Sequence, residues 1–261
     1  MLLSSRHIKS KVSKWSFRIR TFHNWYTIVF PINRILSKER TLKARNGIRL
    51  FVHDISSSEI GMTREVWEKN DYATLPPTGN IIDIGANIGA FSLLAAKKTK
   101  AHIFALEPIP VNFRILKKNV ELNNFTSRIS PYCLALGMKN ERRNMVLSKR
   151  NMGGHSFFIP GTNTTSVECE TLETFLKNNN IEHVDYIKCD CEGGEYEIFL
   201  NTPRAVFNRI STITIELHDV QGYSFSDLEN HFQKMGYKTF WSAPRMIHAK
   251  HWIDLSSNRI S

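Results

Sequence analysis

The sequence predicts an α/β domain: a mostly parallel, seven-stranded sheet with helices on both faces and a late antiparallel hairpin. Three observations carry that expectation. Asn80–Phe91 (N-I-I-D-I-G-A-N-I-G-A-F) passes from a β-branched apolar run through two glycines into good helix formers, giving a strand, a loop and a helix N-terminus. Strand-like apolar runs then alternate with helical ones as far as Leu217, which implies right-handed β-α-β crossovers and a ligand at the strands' carboxyl ends. Two final runs, Tyr237–Trp241 and Met246–Ile253, lie close enough to pair as a hairpin.

A chain of 261 residues can bury a full core, and 41% hydrophobic with 23% charged residues places it among globular proteins. Its net charge of +11 suggests a nucleic-acid partner until the charge is located. Residues 1–50 hold twelve Lys/Arg against one acid, Glu39, whereas the remainder holds 23 of each. The expected organisation is therefore a basic N-terminal extension over 1–39 and a neutral domain over 40–261. Within Met1–Phe30, Ile8, Val12, Trp15, Ile19, Phe22, Tyr26 and Val29 recur at steps of four and three, one stripe of a helix, and Pro31 stops it. No uncharged run approaches the roughly 18 residues that span a bilayer. Basic residues continue to Arg20 without a compact apolar core, which disfavours a secretory signal. Three roles stay open for residues 1–30: docking on the domain, peripheral contact with an anionic membrane, or a transit peptide. The expected location is cytoplasmic, with membrane-surface contact as the variant. Cys133, Cys169, Cys189 and Cys191 have no CxxC spacing, so reduced buried thiols are expected rather than a zinc site.

Ahead of the central strand, Thr41–Val52 reads as a hairpin around Asn46-Gly47, Ile60–Tyr72 as a helix and Leu75–Gly79 as a breaking linker. Beyond it, Ala101–Leu106 is a second buried strand and Val111–Asn123 an amphipathic helix. Ile129–Leu136 follows as a third strand, closed by Gly137. Lys139–Cys169 is irregular, with short strands at Met145–Leu147, Ser156–Ile159 and Ser166–Glu168, and is expected to cover the ligand site. Thr171 caps a short helix to Asn178. Val184–Asp190 is the fourth strand, turning at Cys191–Glu195 into a helix that ends near Leu200. Ile210–Leu217 is the fifth, and Ser226 with Glu229 forms a capping box for a helix closed by Gly236.

Asp83 sits inside the first strand, two positions before the first glycine, where a dinucleotide-binding strand carries an apolar side chain. A carboxylate there can tie down the loop's amides and face a cation such as the sulfonium and ammonium of S-adenosylmethionine. Glu107 lies 18 residues past Gly89 at the tip of the second strand, where a carboxylate accepts the two ribose hydroxyls of an adenosine ligand. The loop is G-x-x-x-G and lacks the last glycine of G-x-G-x-x-G, which argues against NAD. Gly85, Asn87 and Gly89 are expected close to the ligand. Asp190, Glu192 and His218 fall at carboxyl ends of central strands and are the candidate general bases, His218 first because it titrates near neutrality. Lys188 is expected to pair with Asp190 or Glu192, and Glu195 to complement a helix dipole. No metal is assigned, although Asp190, Glu216 and His218 could gather a divalent ion. The stretch after the fourth strand reads D-C-E-G-G, acidic and without the N/D-P-P-Y/F of nucleic-acid amine methylation, so no nucleic-acid partner is expected.

Three blocks carry a family resemblance. I-I-D-I-G-A-N-I-G-A-F at 81–91, A-L-E-P-I-P-V-N-F at 105–113 and D-Y-I-K-C-D-C-E-G-G-E at 185–195, the last preceded by T-L-E at 171–173, resemble the FkbM family of class I S-adenosylmethionine-dependent methyltransferases. The resemblance covers roughly residues 40–253. It implies a Rossmann-like class I methyltransferase sheet and S-adenosylmethionine held by Asp83, Gly85, Ala86, Asn87, Gly89, Glu107, Pro108 and Leu136. It further implies O-methylation of a hydroxyl on a sugar, glycan or secondary metabolite. A nucleic-acid or protein methyltransferase, or a membrane-surface protein with an inactive fold, are the alternatives. Cys189 and Cys191 stand where aliphatic residues are usual, and Glu173 where Asp is commoner.

Overall fold

The computed structural model describes residues 13, 15–26, 41–53, 58–69, 72, 74–148 and 155–251. β1 (Thr41–Lys43) and β2 (Arg49–Phe51) pair antiparallel around Asn46-Gly47, as the turn signal predicts. α1 (Ser58–Arg64) covers only half of the helix expected to Tyr72, because Glu65–Lys69 widens into a π-helical turn. Such turns cluster at functional sites. Here Trp67 Nε1 leaves that turn to donate to the Ala90 carbonyl at 2.9 Å, tying it to the helix after the glycine loop.

The main sheet is built from β3 (Asn80–Ile84), β4 (His102–Leu106), β5 (Ile129–Tyr132), β9 (Val184–Cys189), β10 (Ile210–Glu216), β11 (Tyr237–Ala243) and β12 (Met246–His251). Its order is β11-β12-β10-β9-β3-β4-β5. All neighbours from β10 to β5 are parallel, and β12 runs antiparallel to both β10 and β11. The expected seven strands and late hairpin are therefore present. α2 (Ala90–Lys98), α3 (Pro110–Leu122), α4 (Leu172–Asn178), α5 (Glu195–Leu200), α6 (Arg204–Phe207) and α7 (Phe225–Lys234) supply the covering helices. Side chains alternate across a strand, so Ile81 packs with Phe91, Leu93, Ile103 and Tyr186 in one core, while Ile82 and Ile84 join Phe199, Ile213 and Phe232 in the other.

Three local expectations are corrected. The run Ile129–Leu136 is not one strand. β5 stops at Tyr132, and β6 (Ala135–Leu136) leaves the main sheet to pair with β8 (Thr164–Glu170), which also pairs antiparallel with β7 (Glu141–Val146). Pro131 fits this outcome, since β5 is an edge strand that can spare a backbone donor. The short strands expected across Lys139–Cys169 are thereby replaced by two longer ones, with Ser156 making only an isolated bridge to Val146. The capping box is Ser224 with Asp227, whose Oδ2 accepts from the Ser224 N–H at 2.7 Å. Glu229 instead accepts from Trp241 Nε1 and Thr239 Oγ1.

The N-terminal stripe does not dock as a unit. Residues 15–21 are helical, and Phe22 is buried together with Phe17, which lies off the stripe. Trp15 (46% exposed), Ile19 (38%) and Tyr26 (47%) face outward. Phe22 sets this orientation by bridging to Ala44 beside the first hairpin and packing its ring 5.9 Å from Trp67. Ile8, Val12 and Val29 lie outside the described residues.

Candidate active site

A cavity of about 290 Å³ opens at the carboxyl ends of β3, β4, β9 and β10, where an open parallel sheet binds its ligands. The glycine loop forms one wall. Gly85 has φ 75°, and a Cβ there would come within 1.9 Å of the Asp190 carbonyl oxygen, so only glycine lets β3 and β9 close together at the site. Asn87 is left-handed at φ 51°, and its N–H donates to Glu107 Oε2 at 2.9 Å. The other oxygen, Oε1, accepts from the Ile109 N–H at 2.9 Å. Glu107 thus staples the loop after β3 to the one after β4. Burial pushes its carboxyl up to about 7, against the lowering effect of the hydrogen bonds from Ile109, Asn87 and Asn112.

Gly85, Ala86, Asn87, Glu107, Pro108 and Leu136 all line the cavity, together with Asp190, Glu192 and His218. Asp83 and Gly89 do not. Gly89 precedes α2, and the space its missing side chain leaves is filled by Leu116. Asp83 is fully buried one layer below. Its Oδ1 lies 3.1 Å from Lys188 Nζ, and its Oδ2 accepts from Ser92 Oγ at 2.6 Å. The expected pairing of Lys188 with Asp190 or Glu192 is corrected here. Asp83 and Lys188 are register partners on β3 and β9, which fixes the ion pair. Burial alone would depress the Lys188 ammonium, but Asp83 and then Asp190 hold it above its usual range. Lys188 Nζ also donates to the Gly85 carbonyl at 2.9 Å, so this buried pair positions the glycine loop from beneath.

At the other end, His218 follows β10 and meets the turn after β9. Its Nδ1 lies 3.1 Å from Glu195 Oε1, which also accepts its backbone N–H at 2.7 Å. Its Nε2 lies 3.6 Å from Glu192 Oε2 and 3.9 Å from Asp190 Oδ1. Glu192 adopts a left-handed backbone, φ 55°, and its carbonyl accepts from Ser156 Oγ of the insertion at 2.5 Å. Strain of this kind, on the order of 1 kcal/mol, is retained where surroundings over-determine it. Burial alone would lower His218, yet the hydrogen bond and charge of Glu195, with Asp190 and Glu192 behind them, raise it to about 9. Burial pushes Glu192 up to about 7, and His218 draws it back down. Asp190, Glu192 and His218 offer ligand atoms within 4.8 Å of one another, a donor set of the kind that holds a divalent cation. Glu195 is the functional residue that sequence reasoning missed. Acids in a first helical turn are usual, and only its complete burial against His218 distinguishes it.

A sheet of this order, with a glycine loop and a carboxylate stapling it at the carboxyl edge, is that of a Rossmann-like class I methyltransferase. The methyltransferase FkbM domain profile matches residues 83–239, and the chain belongs to that family. It is 26% identical over 186 residues to methyltransferase sdnD of Sordaria araneosa, covering 58% of this chain and 71% of that one. Against the 31-O-demethyl-FK506 methyltransferase FkbM of Streptomyces tacrolimicus the identity is 23% over 216 residues, covering 70% and 83%. A crystal structure of methyltransferase FkbM from Methylobacillus flagellatus KT matches with a TM-score of 0.51 at 17% identity, a likeness of fold. It covers 75% of this chain, which spans only half of that one. The family read from the three sequence blocks and the expected fold class are both borne out.

Proposed function

We propose that the protein is an S-adenosylmethionine-dependent O-methyltransferase whose acceptor is a hydroxyl of a secondary metabolite or sugar. One observation carries this reading: a single cavity joins Glu107, suited to adenosine hydroxyls, to the Glu192–His218 pair, suited to taking a proton. S-adenosylmethionine would supply the electrophilic methyl group there. Gly85, Ala86, Asn87, Glu107, Pro108 and Leu136 hold and orient the donor, and the buried Asp83–Lys188 pair acts through Gly85. Gly89 serves the loop's shape.

The proton of the acceptor hydroxyl passes to the Glu192–His218 pair. A base poised near neutral pH is the efficient one, and Glu192 at about 7 fits this better than His218 at about 9. His218 is then the cation that keeps Glu192 ionised, with Glu195 fixing its ring and Asp190 sharing its charge. The Streptomyces tacrolimicus relative is by name a 31-O-demethyl-FK506 methyltransferase, which supports an oxygen acceptor. Calorimetric titration with S-adenosylhomocysteine tests the donor site. Wild-type protein is expected to bind, and Glu107→Ala to weaken binding by roughly 10- to 100-fold, the usual loss for hydrogen bonds to a charged group. Absence of binding by the wild type overturns the assignment.

Among the described residues, no helix is long and apolar enough to cross a membrane. We further propose that the outward Trp15, Ile19 and Tyr26, carried by the basic N-terminal extension, rest on an anionic membrane surface. Co-sedimentation with phosphatidylserine vesicles should fall about tenfold in the triple variant Trp15→Ala/Ile19→Ala/Tyr26→Ala, and added salt should weaken the wild type. Equal sedimentation of the two proteins rejects the membrane role.

A further inference from the structure

The turn after β9 carries two consecutive left-handed residues, Glu192 at φ 55° and Gly193 at φ 107°. Glycine adopts that backbone freely, but a residue with a Cβ keeps it only where its surroundings hold it. At Glu192 the hold comes from the chain between β7 and β8. Ser156 is 2% exposed, and its Oγ donates to the Glu192 carbonyl at 2.5 Å while accepting from the Phe158 N–H at 3.0 Å. The hydroxyl is thus engaged both as donor and as acceptor, which fixes where its hydrogen points. A two-way backbone bridge to Val146, with N···O distances of 2.9 and 3.2 Å, keeps Ser156 itself in place.

Side chains close the grip on the turn. A Cβ on Gly193 would lie 2.9 Å from Phe158 Cδ2 and 2.8 Å from Val220 Cγ2, so Gly193 is clasped between the two. The insertion is anchored separately. Arg143 donates to Glu197 on α5, and its guanidinium lies 4.1 Å from the centre of the Phe157 ring. Removing the Ser156 hydroxyl therefore leaves the insertion docked and releases only the Glu192 carbonyl. The carbonyl and the side chain of Glu192 turn on one backbone, so the hydroxyl that fixes the first also aims the carboxylate, whose Oε2 lies 3.6 Å from His218 Nε2. Ser156 does not line the cavity, and its influence on the site runs through this turn.

We propose that Ser156 is a positioning residue, its hydroxyl holding the left-handed turn that brings the Glu192 carboxylate to His218. This rests on the reading of Glu192 and His218 as the pair that takes the proton, and an imidazole titration of the whole protein tests it without an acceptor. The His218 ring faces Glu195 on α5, Asp190 and Glu192 on the turn, and Glu216 on β10. Its NMR signal, assigned by its loss in His218→Gln, is followed against pH with EDTA present. The wild-type midpoint is expected near 9. Ser156→Ala should lower it by about one pH unit, the scale of losing a carboxylate at this range, and Glu192→Gln should lower it by at least as much. Added to Glu192→Gln, Ser156→Ala should change nothing further, since both act on one contact. Ser156→Thr keeps the hydroxyl and should keep the wild-type midpoint. An unchanged midpoint in Ser156→Ala overturns the inference, as does a further fall of the same size in the double variant. A Ser156→Thr midpoint that matches Ser156→Ala would assign the shift to packing and overturn it too. S-adenosylhomocysteine should bind wild type and Ser156→Ala equally. Absence of binding by the wild type would instead overturn the donor reading, and the titration would still decide the role of Ser156.

Discussion

Glu192→Gln lowers kcat/KM for the acceptor by roughly 10²- to 10⁴-fold at pH 8, the contribution of a positioned general base. The wild-type pH profile gives the finer test. Glu192 must be ionised to accept the proton, so activity is lost as pH falls through about 7. His218 loses its proton only as pH rises through about 9, where Glu192 is already ionised, so activity levels off there rather than falling. The groups touch, and the two proton losses belong to the pair rather than to either residue alone. His218→Gln removes the cation that draws Glu192 down, so the acid limb should move upward while S-adenosylhomocysteine affinity stays near wild type. A rate that keeps rising above pH 9 would make neutral His218 the base and return Glu192 to a supporting role.

The elements that could be read in advance are those whose residues declare a period or a turn. β3 and the loop after it are specified by Ile81, Ile82, Ile84, Gly85 and Gly89. Thr171 caps α4 as expected, its Oγ1 accepting from the Thr174 N–H at 3.1 Å. The readings that failed depended on partners distant in the chain. Nothing in Ile129–Leu136 says that its last two residues pair with Cys169 and Glu170, so one apolar run became two strands in two sheets.

Legibility in the site divides the same way. Glu107 could be placed because its distance along the chain from the loop is itself a signal. The role of Glu195 depends on the side chain it meets, that of His218, 23 residues away. Asp83 was visible as an anomalous carboxylate inside a strand. Its partner was not, because the register of β3 against β9 decides it. A carboxylate at that place can tie down the loop or face a cationic ligand, and in the structure Asp83 turns toward Lys188, which reaches the loop at the Gly85 carbonyl.

That turn has a measurable consequence. Lys188→Met should destabilise the protein by about 3–5 kcal/mol, because it leaves the Asp83 carboxylate buried without its countercharge. In a domain of this size the melting temperature should fall by roughly 10 °C or more. The double variant Asp83→Asn/Lys188→Met should recover much of the loss, since removing both charges also removes the cost of burying them. Asp83→Asn alone separates a structural role from direct donor contact. Asp83 is fully buried and does not line the cavity, so its influence on the donor runs through Lys188 Nζ and the Gly85 carbonyl. Thermal unfolding should therefore register the change strongly, while S-adenosylhomocysteine affinity of the folded variant changes by less than about tenfold, the scale of one hydrogen bond. A variant as stable as wild type that no longer binds S-adenosylhomocysteine would show that Asp83 contacts the donor itself. A large stability loss with affinity retained would place this carboxylate in the foundation of the loop.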